Sequence, residues 1–115
     1  MPKKLTKKNT KALVINLKRR PDRLQTFVEE VGNHLNFSLE VIEATDGKLN
    51  NVYSEPYLSK LSNWDINNLN KASLQGVVGC CVSHRDACLN LVNSKYQYAL
   101  IFEDDATPVI PIQQI

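Results

Sequence analysis

The stretch from Tyr98 to Pro108, YALIFEDDATP, constrains what this chain can fold into more than any other. Tyr98 to Phe102 is a continuous apolar, β-favouring run, too short for a helix, and it predicts a strand buried on both faces as in a parallel sheet. The run stops on Glu103, Asp104 and Asp105, and Pro108 ends the element soon after. Three adjacent carboxylates repel one another. Open α/β sheets bind ligands at the carboxyl ends of their strands, and acids gathered there suit a hard cation. A solvated acidic turn is the alternative, but a buried strand that aims the triplet favours the cation site.

A chain of 115 residues has room for one domain with an adequate core, not for two. The net charge of +2 conceals an asymmetry: of 14 Lys and Arg, all but Lys48, Lys60, Lys71, Arg85 and Lys95 lie at or before Arg23. One end of the molecule is therefore expected to attract anions and the other a cation. The basic N-terminus is followed by no apolar segment of the kind a secretory signal carries, and no run is long enough to span a membrane. Three cysteines argue against a disulfide framework, and no CxxC or His/Cys metal spacing is evident. Reduced thiols in a cytoplasmic compartment are the expectation.

Residues 1–11 read as a basic, flexible arm able at most to touch an anionic membrane surface; nothing aromatic is interleaved to stack on bases, so nucleic acid is not an expected partner. Residues 12–115 form the folded part. ALVINL at 12–17 predicts the first strand. Arg19, Arg20, Pro21, Asp22 and Arg23 follow, with Pro21 suited to a first helical turn and Asp22 to its dipole. Leu24, Phe27, Val28, Val31 and Leu35 then form one stripe of an amphipathic helix. Free N–H groups and clustered guanidinium forks at that helix start favour a phosphate. The absence of a glycine-rich loop excludes a P-loop or dinucleotide fingerprint.

SLEVIE at 38–43 predicts the second strand, closed by a turn through Asp46 and Gly47, where Gly47 can take φ > 0 and Asp46 can accept a hydrogen bond from a ribose or base. Residues 48–72, rich in Asn and Ser, read as an irregular excursion with a short helix near 56–61. Residues 76–94 predict a helix whose apolar stripe is Val78, Cys81, Val82, Leu89 and Val92, with Arg85 in mid-stripe and His84 on its flank. Strand, Arg turn, helix, strand, Asp-Gly, helix and acidic strand make a parallel α/β arrangement. A divalent metal bridging a diphosphate satisfies both the basic and the acidic site, as in an enzyme with a nucleotide-diphosphate donor. Phosphoacceptor receiver domains also carry an apolar strand ending in acids, but there that strand comes first. A module that binds the same ligands without transferring anything is the remaining alternative.

Four motifs resemble glycosyltransferase family 25, the lipooligosaccharide and collagen galactosyltransferases. They are Ile15-Asn16-Leu17 with Arg20-x-Asp22-Arg23-Leu24, Ala44-x-Asp46-Gly47, the loosely spaced Gly76, Gly79-Cys80, Ser83-His84 and Ala87, and Ala99-Leu100-Ile101-Phe102-Glu103-Asp104-Asp105-Ala106. The resemblance implies a GT-A-like, Rossmann-like sheet flanked by helices and transfer with inversion from a UDP-sugar, usually UDP-galactose, to a saccharide or glycoprotein acceptor, assisted by Mn²⁺ or Mg²⁺. It places Glu103 and Asp105 on the metal, in a DxD-type motif, and Asn16, Arg20, Arg23, Asp46, Gly47, Ser83, His84 and Asp104 beside the nucleotide-sugar. No catalytic residue follows from it; His84 is the one spare base. Val77 departs from a commonly polar position. Relatives continue much further, so the chain corresponds to the N-terminal, donor-binding part, and sugar transfer by it alone is expected to be negligible.

Overall fold

The computed structural model describes residues 4–48 and 62–112. Three strands, β1 (Thr10–Asn16), β2 (Ser38–Glu43) and β3 (Tyr98–Glu103), form a parallel sheet in the order β2-β1-β3. The register sets Asn16 opposite Glu43 and Ile15 opposite Glu103, so all three strands end at one edge. Helix α1 (Pro21–Glu30) and a 3-10 turn at Gly32–His34 connect β1 to β2, while α2 (Asn63–Asn68) and the long α3 (Lys71–Val92) precede β3. The expected α/β architecture is present.

Alternation along β1 explains the two layers. Val14 packs with Phe27 of α1 and with Val31, which, like Leu35 of the expected stripe, lies beyond the helix end; Phe102 and Ile112 join them, and the Phe27 and Phe102 rings lie 5.4 Å apart. Leu13 and Ile15 face the other way onto Ala87 of α3, with Ile42 and Ile101 beside them. Every residue of β1 is buried. The expectation that the YALIF strand is buried on both faces is therefore corrected. β3 is an edge strand with four half-buried residues between exposed ends, and the central position belongs to the ALVIN strand. An apolar run does not by itself report strand order, and the burial of a strand follows from that order.

Several boundaries also shift. β1 starts at Thr10, inside the expected arm, and Lys11 is buried, its ammonium donating to Glu40 Oε2 at 2.7 Å and Asn90 Oδ1 at 2.8 Å. Helix α3 begins five residues before its expected start, because the Asn70 side chain accepts from Ser73 N–H as an N-cap. The expected helix near 56–61 lies outside the described residues, and α2 occupies part of the supposed irregular stretch. The buried face of α3 is Leu74, Val78, Gly79, Val82, Ser83 and Ala87, so Val78 and Val82 of the expected stripe are buried while Cys81, Leu89 and Val92 are exposed. Arg85 accordingly lies in solvent beside Asp86. Gly79 and Ser83 are small where Thr45, just after β2, runs directly against the helix, and Leu74, Val78 and Val82 make up the apolar remainder of the face. Among the described residues, no helix is long and apolar enough to cross a membrane.

Candidate functional site

A cleft of about 240 Å³ opens at the carboxyl edge of the sheet. Its lining draws on all three strand ends and on α3: Arg19 and Arg23 after β1, Asp46 to Lys48 after β2, Cys80 and His84 on α3, and Glu103 to Asp105 after β3. The basic and acidic motifs thus share one cleft, not opposite ends of the molecule as the charge asymmetry suggested.

Two glycines let the β2 end approach α3. A Cβ built at Gly47 would stand 2.0 Å from the Gln75 carbonyl oxygen, and one at Gly79 would stand 2.7 Å from the Thr45 oxygen. Close approach, not the expected positive φ, is what Gly47 supplies, since its backbone lies outside the left-handed region. Ser83, buried in α3, completes the contact: its hydroxyl donates to Gly79 O at 2.6 Å and accepts from Thr45 N–H at 2.9 Å. Ser83 lines the floor of the cleft as a clamp. The clamp positions Asp46, which accepts from Arg19 Nε and from Lys48 N–H, the latter at 3.0 Å. The Arg19 hydrogen bond holds the Asp46 carboxyl below the ordinary range.

The acidic triplet divides in two. Asp104 turns inward, with only a tenth of its side chain exposed; it accepts from Asn16 Nδ2 at 2.8 Å and lies 3.8 Å from Arg23 Nη1. Asn16 also donates to Arg20 O at 3.0 Å, so it ties β1, the Arg turn and the acid turn together from beneath. Glu103 and Asp105 are exposed in the cleft, and Asp105 has no polar partner among the described residues. Arg20 is absent from the cleft lining and forms a two-bond pair with Asp22, at 3.0 and 2.9 Å, which holds Asp22 at about 2. Arg19, on the same turn, takes the cleft position that the sequence suggested for Arg20.

The expectation that no His/Cys metal spacing exists is corrected. Cys80 and His84 stand at i and i+4 on α3, hence on one face, and their ligand atoms and a Glu103 carboxylate oxygen all lie within 4.8 Å of one another. His84 Nε2 is 3.8 Å from Glu103 Oε1. Desolvation, then Glu103 and Cys81, push the Cys80 thiol above its usual range. The signal was present as C-x-x-x-H on a helix, but the third ligand comes from β3 and only the fold supplies it. All three cysteines are free.

The fold is that of an α/β protein with a cleft at the strand ends. The family model described as glycosyltransferase family 25 (LPS biosynthesis protein) matches residues 9–109, and the chain belongs to that family. It is 30% identical over 104 residues to procollagen galactosyltransferase 2 of Mus musculus. That match covers 80% of this chain and 15% of the relative, so the chain spans a small part of the length of the protein it resembles. No solved structure matches it.

Proposed function

We propose that this chain is the donor-binding part of a UDP-sugar-dependent glycosyltransferase, with galactose as the transferred sugar and a saccharide or hydroxylysine side chain as acceptor. The observation that carries the reading is the opening of the Arg turn and the acidic turn into one cleft. Family membership supports transferase chemistry, and the name of the mouse relative supports galactose. In this reading Arg19, Arg23 and Lys48 draw in the diphosphate, because guanidinium and ammonium groups bind phosphate oxygens through charge-assisted hydrogen bonds. Asp46 and Gly47 lie along the nucleotide.

The exposed carboxylates of Glu103 and Asp105 fit a hard divalent cation, Mn²⁺ or Mg²⁺, since such an ion takes carboxylate oxygen ligands. When bound, that ion supplies neutralisation of the charge developing on the leaving diphosphate. Asp104, with Asn16 and Arg23 as its partners, braces the turn that presents the two ligands. Calorimetry of UDP with and without Mn²⁺ tests the reading. Asp105→Ala abolishes the Mn²⁺-dependent part of UDP binding and leaves the fold intact; unchanged UDP affinity in both conditions refutes the assignment. A turnover assay with UDP-galactose separates an enzyme from a module that binds and does not transfer.

A further inference from the structure

We propose that Cys80, His84 and Glu103 form a three-ligand site for a borderline-soft divalent cation of the Zn²⁺ type, with its fourth position open to water or a diphosphate oxygen. This deepens the reading above and shares with it only Glu103. The donor set is one sulfur, one imidazole nitrogen and one carboxylate oxygen, the chemistry that selects Zn²⁺ over Mg²⁺ or Ca²⁺. A tetrahedral zinc at its usual bond lengths needs ligand atoms about 3.3–3.8 Å apart. His84 Nε2 and Glu103 Oε1 stand 3.8 Å apart, and all three ligand atoms fall within 4.8 Å. Modest rotamer changes close the remaining gap, and these side chains are free to make them, with His84 and Glu103 44% and 61% exposed and Cys80 exposed.

The backbone beneath the site is held more firmly than the ligands. Gly79 and Ser83, each one residue before a ligand, lock this stretch of α3 against Thr45. Glu103 is the last residue of β3 and is paired in register with Ile15 of the central strand. Two ligands on one helix and a third on a strand end therefore converge without a flexible loop. Because Glu103 belongs to both donor sets, a cation of the Zn²⁺ type on Cys80 and His84 competes with Mn²⁺ held through Glu103 and Asp105.

Cobalt(II) titration of the full chain under reducing conditions tests the site, because a thiolate ligand gives cobalt a charge-transfer absorption that oxygen ligands do not. The wild-type chain is expected to show that absorption with tetrahedral d–d bands, and Zn²⁺ is expected to displace both. Cys80→Ser removes the charge-transfer band, whereas Cys81→Ser and Cys88→Ser keep it. His84→Ala and Glu103→Gln each weaken cobalt binding by more than about tenfold, the lower range for losing even an outer partner of a ligand. Circular dichroism checks the folding of each variant, and the last two carry the test if Cys80→Ser misfolds. An octahedral spectrum without charge transfer in the wild type overturns the site. So does a band that survives Cys80→Ser, or undiminished affinity in both His84→Ala and Glu103→Gln. UDP binding in Mn²⁺ is read separately, so failure here leaves the donor-binding reading standing.

Discussion

Replacing Asn16 with Asp keeps the shape of a side chain 6% exposed and reverses its hydrogen bonding. The amide donates to Arg20 O at 3.0 Å and to Asp104 Oδ2 at 2.8 Å; a carboxylate can donate to neither. Two ionised carboxylates 2.8 Å apart would repel by about 6 kcal/mol even at an effective dielectric constant of 20. Such a pair takes up a proton instead. Holding a proton at pH 7 on a group with an ordinary value near 3.9 costs about 4 kcal/mol, and at pH 5 about 1.5 kcal/mol. Asn16→Asp is therefore expected to lose about 3–4 kcal/mol of stability at pH 7 and about 1–2 kcal/mol at pH 5. The sign follows from linkage: the folded state binds one proton more than the unfolded one, so stability is retained at low pH and falls as pH rises above the unfolded value. Asn16→Ala loses two hydrogen bonds but creates no acid pair, and its deficit of about 2–3 kcal/mol does not change over this range. Urea denaturation of both variants at the two pH values is the assay. An Asn16→Asp deficit equal at pH 5 and pH 7, or below about 0.5 kcal/mol at pH 7, refutes the bracing role of Asn16.

Gly47→Ala places a Cβ 2.0 Å from a backbone oxygen, and a loss of about 1–3 kcal/mol or more in urea is expected. Gly76→Ala meets nothing within 4 Å, so the better helix propensity of Ala should raise stability by about 0.5–1 kcal/mol in the same assay. Arg23→Ala should weaken UDP binding about tenfold or more, and Arg20→Ala by less than about threefold, because Asp22 holds Arg20 outside the cleft lining; equal losses by calorimetry would remove that distinction. Hydrogen bonds from Lys11 and Asn90 hold Glu40 below the ordinary range, so its contribution is present above the unfolded glutamate value and is lost as pH falls through the lowered one. In an acid titration Glu40→Gln should lose that low-pH component; an unchanged acid profile counts against the network.

The sequence by itself determined the strands, the first helix and the acidic strand end. Those signals are local: β-branched runs, a helical stripe and punctuation by Pro21 and Asp46-Gly47. It also brought Arg23, Asp46, Gly47, His84, Glu103 and Asp105 forward as site residues, and all of these line the cleft. The tertiary structure decided what depends on partners distant in sequence. Whether ALVIN or YALIF is the central strand depends on which run pairs on both sides, and composition does not record that. The division of three identical-looking acids, with Asp104 inward and Glu103 and Asp105 outward, depends on Asn16, which lies 88 positions away. Periodicity brought forward Val78 and Val82 of the face that α3 buries, but the small Gly79 and Ser83 between them depend on the backbone of Thr45, which presses on that turn of the helix. The meeting of Cys80 and His84 with Glu103 likewise required the sheet, because a helix can supply two ligands at i and i+4 but the third must come from another element.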